Sequence, residues 1–182
     1  MARTIGLMRH YRVDYRAKRR WLTSGEFIEW IEQYNRADIV VNPVPHDSRI
    51  QWETCLSSDL HRAVLTSRMI FDGLIEWNNQ LREVELAPIF HTKARLHIGI
   101  WLALSRLAWW FSHRSQPESR SSTMRRAERV LNDIESRSEK RTLVVGHGMF
   151  MKAMQQQLRR RGYSGPSFSK PRNGCIYHYI RD

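Results

Sequence analysis

The chain has 182 residues, room for one domain with a sizeable core and too few for two of ordinary size. Hydrophobic residues at 41% and charged residues at 26% are ordinary for a globular protein, and two distant cysteines, Cys55 and Cys175, exclude a disulfide framework and metal-ligand spacing. Thirty Lys plus Arg against eighteen Asp plus Glu leave a formal charge of +12, which favours anionic partners: nucleic acid, phosphorylated small molecules or an acidic membrane face.

The first element is an apolar run, Ile5 to Met8, with the length of a buried parallel strand, delivered straight into Arg9-His10. Ligands of open α/β sheets collect beyond the carboxyl ends of strands, where a histidine is available as nucleophile, base or ligand. A basic, aromatic segment from Tyr11 to Trp21 follows without a period and reads as a loop. The four apolar residues before Arg9 are too few for the core of a signal peptide. With reduced thiols, this places the chain in the cytoplasm.

Thr23 and Glu26 form a capping box before Phe27, Trp30, Ile31 and Tyr34, whose i, i+3, i+4, i+7 spacing predicts an amphipathic helix. Asn42 to Pro45 breaks regular structure, and Ile50 to Ser57 reads as a second strand. Asp59 then caps a predicted helix whose apolar face includes Leu60, Val64, Ile70, Phe71, Leu74 and Ile75. Arg62 stands in its first turn, where a guanidinium beside free N–H groups suits an anion. In the segment Leu81 to Pro88, Glu83 and Glu85 share one face if the backbone is extended.

Leu96 to Phe111 is richly apolar but shorter than a bilayer span and carries Arg106, which predicts a buried or cap helix. Ser112 to Ser122 reads as a flexible linker. Thr123 caps the next helix, with Met124, Ala127, Val130, Leu131 and Ile134 inside and Arg125, Arg126 and Arg129 outside. Thr142 to Val145 is another short apolar strand, running into Gly146-His147-Gly148. A helix from Phe150 to Arg161, ended by Gly162, and a last strand, Cys175 to Ile180, complete the chain. Strands alternating with helices predict a sheet with helices on both faces.

Three segments, MRH at 8–10, SSDLHRA at 57–63 and VVGHG at 144–148, together resemble the histidine phosphatase superfamily with its phosphoglycerate mutase-like fold. The resemblance implies a single α/β domain over residues 1–182, three layers α/β/α around a mostly parallel sheet, with residues 86–122 as a cap-like insertion and flexible linker. It further implies His10 as the nucleophile that becomes phosphohistidine, Arg9 and Arg62 as phosphate clamps and His147 as a second pocket histidine. LREVE is similar to the family's segment bearing the proton donor, making Glu83 the first choice and Glu85 the second. The chain departs from the family pattern at Tyr11, where glycine is usual, at Val13, where threonine is common, and at Arg16, which stands where an asparagine often supports the phosphate and is the candidate replacement donor.

The implied activity is that of a histidine-dependent phosphatase needing no metal and no cofactor, acting on a phosphate monoester or a protein phosphohistidine. A phosphoglycerate-type mutase fits less well, because the chain lacks the longer insertions of those enzymes. The alternative is a catalytically weakened domain of the same fold that binds phosphate or nucleic acid, in keeping with the charge and the basic clusters 16–20 and 159–161, although no nucleic-acid motif is present. Oligomeric state is not readable; an exposed Trp-rich face around Trp101, Trp109 and Trp110 would indicate a dimer contact.

Overall fold

The computed structural model describes residues 2–41 and 50–182. The chain runs through β1 (Arg3–Arg9), β2 (Arg12–Val13), β3 (Trp21–Leu22), α1 (Ser24–Arg36), β4 (Ile39–Val40), β5 (Thr54–Ser57), α2 (His61–Ile70), β6 (Ile75–Trp77) and a 3-10 turn (Asn79–Leu81). It continues through β7 (Leu96–His97), α3 (Ile98–Trp110), α4 (Arg120–Ser136), β8 (Arg141–Gly146), α5 (Gly148–Arg160) and β9 (Ile176–Arg181). The predicted break at Asn42 to Pro45 lies outside the described residues.

Five strands form one sheet in the order β6-β5-β8-β1-β9, parallel except for β9. The α/β architecture with a mostly parallel sheet is therefore the observed one. Side-chain alternation explains how the strands serve two layers at once. Ile5, Leu7, Leu56 and Val144 face α4 and α5, packing with Leu131, Ile134, Met151 and Leu158. Met8, Cys55, Leu143 and Val145 face the other way, against Ala63 of α2. Burial on both sides is why these strands read as continuous apolar runs. A third cluster joins α1 to α3: Phe27 stacks on Trp101 with ring centroids 5.6 Å apart, and Trp101 Nε1 donates to the Leu22 carbonyl at 2.8 Å.

Several expectations change. The capping box at Thr23 forms, Thr23 Oγ1 accepting from the Glu26 N–H and Glu26 from the Thr23 N–H. Asp59, however, does not cap α2. Its carboxylate pairs with both nitrogens of the Arg82 fork at 2.6 and 2.7 Å, and Ser58 Oγ accepts from the Leu60 N–H instead. The helix stops at Ile70, because the chain must turn to pair β6 with β5; Leu74 is exposed and Ile75 lies in a strand. The second strand starts at Thr54, not Ile50. The linker is shorter than expected: a box between Ser119 and Ser122 starts α4 at Arg120, so Thr123 lies inside the helix, bonded to the Ser119 carbonyl. Gln116 within that segment is buried and exchanges hydrogen bonds with the Ala87 backbone. Arg126 is not outside; it donates to the carbonyls of Gln80 and Arg82 at 2.7 Å each and forks onto Glu118.

Candidate active site

Strand register assembles the centre. In the parallel sheet Arg9 is level with Gly146, and Ser57 with Val145, so the residues that follow β1, β8 and β5 emerge together at the carboxyl edge. Backbone bonds continue the pairing past the strand ends: the His10 N–H donates to the Gly146 carbonyl at 3.1 Å and the Ser58 N–H to Val145 at 3.0 Å. His10, Ser58 and His147 are thereby neighbours although they lie far apart in sequence. This is the position at which open α/β sheets hold ligands.

His10 is buried, and its Nδ1 lies 2.6 Å from the Tyr11 carbonyl. A carbonyl only accepts, so Nδ1 carries the proton and Nε2 keeps its lone pair. Arg62 Nε donates to that Nε2 at 3.2 Å. Burial, reinforced by the Arg62 and Arg9 charges and opposed by the Tyr11 bond, lowers the His10 pKa from 6.5 to about 3. At neutral pH the imidazole is uncharged with Nε2 unprotonated, which is the state a nucleophile requires.

Arg62 is itself buried and triply held, with Nη1 donating to Asn35 Oδ1 at 2.9 Å and its guanidinium over the Tyr34 ring, 5.4 Å from the centroid. Burial lowers its pKa, with the charges of Tyr34 and Glu83 opposing. Arg9 donates through Nη1 to the Pro171 carbonyl at 3.0 Å. Asn173 from the same loop donates to the His10 carbonyl at 2.7 Å, and the Gly174 N–H to the Arg9 carbonyl at 2.9 Å. Nothing in the local sequence around Pro171 to Gly174 announces this role.

His147 occupies the N-cap position of α5 without a side-chain capping bond and is fully buried, its ring 5.1 Å from that of His10. Its Nε2 lies 2.8 Å from Ser58 Oγ. Among the described hydrogen bonds the buried Ser58 hydroxyl has no acceptor other than Nε2, so its proton goes there and the His147 proton sits on Nδ1. That Nδ1 and Arg9 Nε are two of the buried polar atoms without a partner. Buried donors left unsatisfied are costly, and two beside one histidine mark a place for an acceptor-rich ligand such as phosphate. Burial and the charges of Arg62, His10 and Arg9 hold His147 well below the usual histidine range.

Beside Arg9, His10 and Arg62 opens a cavity of about 550 Å³, which the fully buried His147 does not itself line. Arg9, His10, Arg62, Glu83 and Glu85 line it, with Tyr34, Asn35, Trp30, Leu86, Leu102 and Arg106 on its walls. Glu83 accepts from the N–H groups of Met149 and Phe150, at 3.1 to 3.2 Å, so the helix start that His147 leaves uncapped is closed by a carboxylate. Glu85 reaches the wall from an exposed position without such anchors. Arg16 is exposed and is not among the lining residues, so the structure does not bring it to the other candidates.

Tyr11 does not crowd the site. Its side chain packs with Met8, Cys55 and Ala63 on the α2 face of the sheet, and its N–H donates to Thr66 Oγ1 at 2.9 Å. Val13 is buried in β2, which pairs with β4. The hydroxyl, amide and aromatic partners Ser58, Asn35, Asn173 and Tyr34 escaped sequence reading. Only Ser58 had a signal, as the second serine of SSDLHRA. Among the described residues, no three His, Cys, Asp or Glu side chains are gathered closely enough to hold a metal ion.

Comparison with known proteins agrees with this geometry. Solved structures of similar fold include a mycobacterial glucosyl-3-phosphoglycerate phosphatase (19% identity, TM-score 0.55, covering 88% of this chain and 81% of that one). Others are a putative alpha-ribazole-5'-P phosphatase from Escherichia coli (15%, 0.56, 97% and 89%) and a phosphoserine phosphatase from Entamoeba histolytica (15%, 0.52, 96% and 89%). At these identities the likeness speaks for the fold. No curated protein matches the sequence. The family model of the histidine phosphatase superfamily, branch 1, matches residues 45–181, which contain Arg62, Glu83 and His147 and begin beyond Arg9 and His10. With most of the chain matched and a sheet whose register joins β1 to that region, the protein belongs to branch 1 of the histidine phosphatase superfamily.

Proposed function

We propose that the protein is a phosphatase that hydrolyses a phosphate monoester through a phosphohistidine on His10, without a metal ion. The observation that carries this reading is His10 with its Nδ1 bonded to the Tyr11 carbonyl and its Nε2 lone pair facing Arg62, beside two buried donors, Arg9 Nε and His147 Nδ1, that lack partners. The names of the three structural relatives described above, each a phosphatase, support a phosphate ester as the substrate class.

The chemistry follows from the groups present. Arg9, Arg62 and His147 Nδ1 donate to the equatorial phosphate oxygens, where charge must be balanced as the phosphoryl group moves. The His10 Nε2 lone pair attacks phosphorus and the bond to the ester oxygen breaks. The leaving alkoxide takes a proton from Glu83, which lines the cavity beside His10. Water then attacks the phosphohistidine, giving its proton back to Glu83; the phosphorus–nitrogen bond breaks and inorganic phosphate leaves. Arg62 fixes the Nε2 lone pair before substrate arrives, and phosphate takes over that donor when it binds.

The test is hydrolysis of p-nitrophenyl phosphate in EDTA, with trapping of radiolabelled enzyme. Turnover, with an acid-labile label lost in His10→Ala, is expected. A wild type that binds phosphate but leaves the ester intact would point to a binding-only domain. Full activity in His10→Ala would also sink the proposal.

A further inference from the structure

Helix α3 buries Trp101, Ser105 and Ala108 on its inner side and lends Leu102 and Arg106 to the cavity wall. Its outer side should be polar in an ordinary surface helix. Instead Ile100, Ala103, Leu107, Trp110 and Phe111 form one stripe at helical spacing, and Leu107, Trp110 and Phe111 are 55%, 52% and 76% exposed. No Asp or Glu occurs between Leu86 and Pro117, whereas Lys93, Arg95, Arg106 and Arg114 do. Arg95 pairs with Glu26, whereas Arg106, Arg114 and Arg120 have no carboxylate partner among the described ion pairs, and Arg120 lies 3.8 Å over the Trp110 ring at the end of the stripe.

We propose that this outer face of α3 docks on an anionic lipid membrane. Aromatic and aliphatic side chains flanked by arginines suit the boundary between acyl chains and headgroups, where burial of apolar area and attraction to anionic lipid add. A second copy of the chain is the poorer occupant. A two-fold contact sets a patch against itself, so Arg106 and Arg114 would meet their own copies with no carboxylate in the segment to offset them. An anionic surface removes that repulsion. The helix lies on such a surface and does not enter it: no helix among the described residues is long and apolar enough to cross a membrane.

Co-sedimentation of the full chain with vesicles tests this, comparing phosphatidylcholine alone with phosphatidylcholine plus phosphatidylserine at about 50 mM salt, where surface charges act over long range. Binding to the mixed vesicles is expected to exceed binding to phosphatidylcholine about tenfold or more. The double substitution Leu107→Gln, Phe111→Gln keeps the charge at +12 and touches only exposed side chains. It should weaken binding about tenfold, while far-UV circular dichroism and p-nitrophenyl phosphate turnover stay unchanged. Arg159→Gln with Arg160→Gln, at the opposite end of α5 from the cavity, removes two charges and should keep binding within about twofold of wild type. Equal binding by the Leu107/Phe111 variant, or no wild-type binding to the mixed vesicles, overturns the proposal. So does a dimer in sedimentation velocity that the Leu107/Phe111 variant dissociates, which would assign the face to a second copy.

Discussion

The buried, neutral state of His10 makes a prediction about stability that does not depend on any substrate. Below pH 6.5 an unfolded chain protonates this histidine, while the folded chain resists until about pH 3. A depressed folded pKa means that stability is fully present above 6.5 and falls as pH falls toward 3, because the unfolded state binds the proton first. At 1.36 kcal/mol per pH unit, lowering the pH from 7 to 4 costs about 3 kcal/mol through this group alone. Replacing His10 with Gln keeps a polar side chain and removes the titration. Urea unfolding followed by tryptophan fluorescence at pH 7 and pH 4 separates this contribution from those of other groups, which both proteins share. The wild type should lose about 3 kcal/mol more than His10→Gln over that interval. A parallel loss in both proteins would refute the assignment of His10 as a neutral, desolvated imidazole, and with it the unprotonated Nε2.

Other consequences are as direct. Glu83→Gln should lower kcat on an alkyl phosphate by about 10²-fold or more, with a smaller effect on p-nitrophenyl phosphate, whose leaving group needs no proton; Glu85→Gln should stay near wild type, and the reverse ranking would move the proton donor to Glu85. Ser58→Ala deprives buried His147 Nε2 of its donor. Stability should fall by about 1–3 kcal/mol in thermal unfolding, and kcat/KM by about tenfold. An added Cβ at Gly6 would stand 2.4 Å from the Trp52 ring and 3.1 Å from Ile176, so Gly6→Ala should destabilise by about 1–3 kcal/mol in chemical denaturation without altering KM.

The sheet was legible because its strands bury both faces. Ile5 to Met8 and Leu143 to Val145 carry no polar side chain, and that run, with a histidine two positions beyond its end, is visible without coordinates. Helix α1 was legible for a related reason: a local capping box and a 3.6-residue period are written in adjacent residues. Asp59 misled because a capping residue and an ion-pair partner look alike in sequence, and Arg82, which claims it, is 23 positions away. Ser112 to Ser122 misled because serine and proline signal a loop whether or not a buried Gln116 later pins it to Ala87. Arg16 was misplaced by analogy of position alone; its loop carries it into solvent.

For the candidate centre the division is similar. The sequence by itself determined which chemical groups stand at strand ends, Arg9-His10, Ser57-Ser58 and Gly146-His147, since a short apolar run dictates where its strand must stop. It also determined the +12 charge and the 32 residues from Leu86 to Pro117 that lack an acid. Only the tertiary structure decided that Arg62 donates to His10, that Ser58 sets the His147 tautomer, that Glu83 closes the start of α5, and that Tyr11 turns to the far side of the sheet. Each of these depends on hydrogen bonds or packing between residues brought together by parallel register, and register between strands more than a hundred residues apart is a property of the folded sheet that no local pattern encodes.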